Sequence, residues 1–192
     1  MASTHKKVIV RRFLGDVLAG YLPVERFLHH GSIGLLGLDG RLNSVMLSDV
    51  KHISYVRDFN LSDGSAPERL SRRTFLARPR SPGLWIRVTF RSPANSSPDP
   101  RSPDLLEGLV ATDLALLDDL LADSGLQLVP PDTRSNTQRV FIPRSSIADL
   151  RILAVITSPS RGRSALTSVD PVQEIQDNLF PPLLLPNTVE AE

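Results

Sequence analysis

The chain has 192 residues, 41% hydrophobic and 22% charged, a globular composition with room for one ordinary domain or two small ones. Its 22 basic and 21 acidic side chains leave a net charge of +1, so no global field draws it to nucleic acid or to a membrane surface. The lack of cysteine excludes disulfides, thiolate nucleophiles and cysteine-ligated metals, and no apolar run reaches the about 20 residues that span a bilayer. Val8-Ile9-Val10 is cut short by Arg11-Arg12, too brief for the apolar core of an export signal, so a soluble cytoplasmic protein is expected.

In chain order, Val8-Ile9-Val10 and residues 17–22, joined across Gly15-Asp16, read as a β-hairpin. Gly20 inside the second run marks a bulge or sharp bend. A second pair follows over residues 32–38 and 42–47, turning at Asp39-Gly40, and a last short strand covers 50–56. Residues 60–83 are rich in serine, proline and arginine without apolar periodicity, which is the pattern of a linker. The strand pattern returns at 84–91. A Pro/Ser-rich loop, 92–103, leads to a strand over 105–110.

Leu114, Leu117 and Leu121 fall at helical spacing behind the capping residues Thr112 and Asp113, predicting a short helix over 112–122. Strands over 126–129, 139–142 and 147–156 complete the pattern. From 158 onward the chain loses strand periodicity and a disordered tail is expected; its leucine cluster, 175–185, is either a docking motif or a segment that folds back.

The two halves read as one pattern written twice. Val8 and Val10 match Ile86 and Val88 at an offset of 78, and Leu18 and Gly20 match Leu106 and Gly108 at 88. Val50, Ile53 and Val56 match Ile147, Leu150 and Leu153 at 97. Offsets that grow only at loops are what a diverged duplication leaves, and the alternative is two unrelated β pieces with generic strand patterns.

The opening strand, the Gly-Asp turn, the glycine in the bent second strand and the short final strands resemble the Sm-like barrel of bacterial and eukaryotic RNA chaperones. The likeness is carried best by residues 8–20. Val50-Lys51-His52-Ile53-Ser54 is similar to the lysine–histidine RNA-contact segment of the bacterial members, with the pair one residue closer to the isoleucine. Where that family carries Asp-x-x-Met-Asn, this chain has Pro23-Val24-Glu25-Arg26-Phe27. Residues 130–143 resemble a recurring bacterial domain of unknown function. The resemblance implies an all-β fold of two five-stranded Sm-like barrels in tandem: barrel 1 over 1–59, an arginine-rich linker over 60–83, barrel 2 with its short helix over 84–157, and a tail over 158–192.

No metal site is expected, because His29-His30 are adjacent and diverge, and His5 and His52 stand alone. No nucleophile elbow, P-loop or placed carboxylate pair is present, so neither an enzyme nor a cofactor is expected. The strongest local charge lies between Arg69 and Arg91, where seven arginines stand without an acid and Phe75, Trp85 and Phe90 are interleaved. Arginine with stacking aromatics suits single-stranded nucleic acid, which makes Arg69, Arg72, Arg73, Arg78, Arg80, Trp85 and Arg87, with Lys51 and His52, the candidate RNA-contact residues. Against that, residues 99–123 carry seven acids and one base, and can neutralise the arginines within the chain or in a neighbouring subunit. The favoured expectation is a non-catalytic binding or scaffolding module with a protein partner or self-association; the alternative is an RNA-binding regulator.

Overall fold

The computed structural model describes residues 5–23, 27–92, 104–113, 124–132 and 134–157. Eleven β-strands and two 3-10 turns make up the regular structure of these residues. The first half carries β1 (His5–Arg12), β2 (Val17–Pro23), β3 (Leu28–His29), β4 (Ser32–Gly37), β5 (Leu42–Met46) and β6 (Val50–Val56). The second carries β7 (Gly83–Phe90), β8 (Leu105–Val110), β9 (Gly125–Leu128), β10 (Thr137–Pro143) and β11 (Ile147–Ile156). A 3-10 turn precedes the last strand of each half, Leu47–Asp49 before β6 and Arg144–Ser146 before β11. All the described strands belong to one compact unit, Met1–Ser158. The helix expected over 112–122 falls almost wholly outside the described residues, as does the tail.

Local chemistry explains the hairpins. Gly15, at φ +90°, turns β1 into β2, and its N–H donates to the Arg12 carbonyl at 3.1 Å. Strand pairings in the two halves then run in corresponding registers. Val8 faces Gly20 and Tyr55, while Ile86 faces Gly108 and Ile152. Val10 faces Leu18 and Ile53, while Val88 faces Leu106 and Leu150. Leu35 pairs with Asn43, and Leu128 with Val140.

Both bent-strand glycines are required by close approach. A Cβ at Gly20 would stand 2.9 Å from the Leu35 side chain and 2.5 Å from the Leu36 carbonyl oxygen; one at Gly108 would stand 2.5 Å from Leu128 Cδ1.

The pairings leave the sheets open and do not close each half into its own five-stranded barrel, contrary to expectation. One sheet runs β3-β4-β2-β1-β6-β10-β9, with β5 on β4, and the other runs β11-β7-β8. The physical reason is the junction between halves. β10 bonds across to β6, with Phe141 opposite Ile53, Val140 opposite Ser54 and Arg139 opposite Tyr55, so the edge that closure would use is already taken.

Alternation along β10 makes the junction two-sided. Val140 and Ile142 point into the second core with Ile86, Val88, Leu106 and Leu128, while Phe141 points into the first with Val8, Val10 and Ile53. There its ring meets Phe27 edge-on at 5.1 Å.

The expected linker, 60–83, contains no strand before Gly83 opens β7, and residues 57–82 are held down as a strap. Pro67, Glu68 and Leu70 are buried, and Leu70 joins the second core. The Thr137 hydroxyl donates to the Glu68 carbonyl at 2.6 Å, and Asn136 Nδ2 donates to the carbonyls of Asp58 and Pro67 at 2.6 and 3.1 Å.

Candidate functional site

The residues singled out for RNA contact divide into those the fold has committed elsewhere and those it leaves in solvent. His52 is among the committed. It is 1% exposed on β6, stacked at a tilt against Phe90, with Nε2 3.8 Å from Glu68 Oε1 and no hydrogen bond to either ring nitrogen from the described residues. Burial pushes its pKa below the ordinary histidine value; the charge of Glu68 opposes this, and those of Lys51 and Arg73 add to it. Lys51 pairs with Asp104 and lies over the Phe90 ring.

Two buried carboxylates organise the underside of the strap. Glu68 takes a fork from Arg11, Nε to Oε1 at 2.6 Å and Nη2 to Oε2 at 2.9 Å, while the same guanidinium donates to the Ser65 carbonyl. Burial works against ionisation of Glu68, but the contacts with His52 and Arg11 outweigh it and hold its pKa down to about 2.

Glu107 on β8 lies directly opposite Arg87 on β7. Its Oε1 accepts from Arg87 Nε and Nη2 at 3.0 and 2.6 Å; its Oε2 accepts from the Phe75 backbone N–H at 2.9 Å and from Trp85 Nε1 at 3.2 Å. Trp85 also meets Phe75 edge-on at 5.8 Å, so it serves as a donor in this cluster and not as an open stacking platform. Arg73 donates to Asp104 at 3.0 Å, and its carbonyl accepts from the Glu107 N–H at 2.7 Å. Two of the seven arginines between Arg69 and Arg91, Arg73 and Arg87, thus meet acids of the 99–123 stretch within the chain.

Arg69, Arg72, Arg78 and Arg80 remain exposed. Arg69 lines an open cleft of about 750 Å³ with Arg57 and Arg134, and Asp58 and Asp63 share its wall. Arg72, Arg78 and Arg80 are not part of that cleft. No group of three His, Asp or Glu side chains among the described residues is placed to hold a metal ion. No helix of the described residues is long and apolar enough to cross a membrane.

The feature that sequence reasoning missed is the exposed apolar row on β11. Leu150, Ile152, Leu153 and Val155 are all exposed, Ile152 at 63%, along a strand that pairs with β7 on one edge and with no described strand on the other. The signal was present in Ile152-Leu153-Ala154-Val155-Ile156, five apolar residues in succession, where a strand covered on one face alternates with polar residues. A smaller apolar pair, Leu42 and Met46, is exposed on β5, whose outer edge also lacks a described partner.

Neither the curated proteins nor the solved structures contain a match to this sequence. Residues 4–154 match a family of unknown function, DUF6982, from before β1 into β11, and the chain belongs to that family.

Proposed function

We propose that the protein is a non-catalytic scaffolding module, built from two diverged copies of one Sm-like fold, that works through protein contacts along β11. The corresponding registers of the halves and the matched glycines at 20 and 108 support the duplication. The observation that carries the contact reading is the row Leu150, Ile152, Leu153 and Val155, left in solvent on a strand whose outer edge has no partner among the described residues. A contiguous apolar row on an open strand edge is costly in water and prone to pairing, and natural proteins blunt such edges unless they are used. A photoreactive residue at position 152 in growing cells tests this directly. A protein adduct is the expected result; no adduct, or an adduct with nucleic acid, overturns the reading.

The second reading is RNA binding, favoured by the exposure of Arg69, Arg72, Arg78 and Arg80. It is the weaker one, because Lys51, His52, Arg73, Trp85 and Arg87 are engaged with Asp104, Glu68 and Glu107. The absorbance ratio at 260 and 280 nm of the purified protein separates the two. The scaffolding reading expects a nucleic-acid-free preparation.

A further inference from the structure

The junction between the halves is a template for what β11 meets. β10, the strand before the second 3-10 turn, pairs with β6, the strand after the first. The counterparts of these strands are β5 and β11, and each has a free outer edge among the described residues. They do not pair with each other within the chain, so the arrangement that joins the halves does not close on itself. We infer that β5 of one copy pairs antiparallel with β11 of a second copy, repeating between chains the junction that β10 and β6 make within one. This rests on the reading above that β11 is a protein contact, and it names the partner as the same chain.

The register follows from the pairings. Arg139, Val140 and Phe141 face Tyr55, Ser54 and Ile53. The 97-residue offset that relates β6 to β11 also relates the strands before the two turns. Leu42 therefore faces Ile152 of the second copy, Asn43 faces Arg151 and Ser44 faces Leu150.

The side chains fit this placement. Directly opposed residues share a face of the sheet, so Leu150 and Ile152 lie on the side of Val88 and Ile86. On β10 the face turned from its own core delivers Phe141 to the other half. On β5 the corresponding face carries Leu42 and Met46, 74% and 55% exposed, while Val45 points into the first core. The two most exposed apolar residues of the facing strands, Leu42 and Ile152, become direct neighbours. The contact is heterologous: two copies joined once still present one free β5 and one free β11, so assembly continues beyond a dimer to a ring or a filament.

The lack of cysteine gives a clean test on the full chain. Leu42→Cys and Ile152→Cys are prepared separately and mixed under mild oxidation. A covalent dimer in the mixture and none in either variant alone is expected, with about tenfold less product from Leu42→Cys mixed with Leu150→Cys, where the Cβ atoms are diagonal and farther apart. Light scattering should give a mass above two chains for the parent protein and one chain for Ile152→Lys, with the circular dichroism of the strands kept. Efficient cross-linking of Ile152→Cys alone would mean a symmetric β11–β11 contact, overturning this inference while sparing the protein-contact reading. A single-chain mass for the parent with no cross-link in any mixture also overturns it. The photoreactive residue at 152 then decides the broader reading: an adduct with another protein upholds it, and no adduct removes both.

Discussion

β6 and β11 stand at the same place in their halves, each antiparallel to the half's first strand, yet one is buried and the other bare. Ile53 and Ser54 on β6 are fully covered, while Leu150 and Ile152 on β11 are open to solvent. Composition does not explain the contrast. β11 is the more apolar strand, whereas β6 carries a lysine, a histidine, a serine and a tyrosine. The cause is the neighbour: β10 lies on one and no described strand lies on the other. Burial here is a property of the pairing, and a strand whose sequence suits burial but which lacks a neighbour points to a missing surface.

The largest expected effect tests whether the two halves share one core. Phe141→Ala removes a buried ring that belongs to a second-half strand and packs in the first-half core, at a cost of about 3–5 kcal/mol. Trp85, the sole tryptophan, reports on the second half. Its fluorescence and the strand circular dichroism should lose stability together in denaturant, as one transition. A drop confined to one signal would separate the halves and weaken the comparison.

The contrast itself is measured by paired truncations. Ile53→Ala should cost about 2–5 kcal/mol, as buried isoleucines do. Ile152→Ala, at high dilution where chains are apart, should stay within about 0.5 kcal/mol. Chemical denaturation of both variants checks this, and a large loss at 152 in the isolated chain would mean that β11 is covered from within.

Acid should act on the β6 side through His52 and Glu68, whose pKa values both lie below the ordinary ones. His52 has a lowered pKa when folded, so below the ordinary value of 6.5 the unfolded chain takes up a proton that the folded one resists, and stability falls with pH. Glu68 has its pKa lowered from 4.5 to about 2, so its contribution, ~3 kcal/mol, is present above pH 4.5 and lost between there and pH 2. Glu68→Gln should flatten the lower part of the curve, and His52→Gln the upper part. A stability profile flat from pH 7 to 3 would contradict both assignments.

Much of the strand layout was legible because it is local. Residues 50–56, 105–110 and 147–156 form strands with the bounds that their apolar runs suggested, and Gly20 and Gly108 sit where a neighbouring side chain leaves no room for a Cβ. The β10–β6 junction was not legible, since Phe141 and Ile53 meet across 88 residues and nothing in either segment specifies the other. The contacts behind the aromatic-arginine pattern were hidden for a similar reason. β8 places Glu107 opposite Arg87, where that one carboxylate takes donors from Phe75, Trp85 and Arg87 together. A buried acid is invisible in composition, because sequence gives it the same weight as a solvated one.

The smallest expected effect concerns three of the candidate arginines that remain in solvent. Replacing Arg72, Arg78 and Arg80 with alanine touches no carboxylate, core or backbone contact described above, so stability should change by less than about 0.5 kcal/mol per site and the mass in solution should not change. The same variant sharpens the choice of partner. If these side chains tracked the phosphates of single-stranded RNA, each would release about 0.7 counterion, and the slope of log affinity against log salt would fall by about 2 in the triple variant. The scaffolding reading expects no RNA affinity at physiological salt to begin with, since the aromatic and the two cations nearest the strap are held by Glu107 and Asp104. Micromolar RNA binding that disappears in the triple variant, with mass and fold intact, would move function from the open strand to the strap.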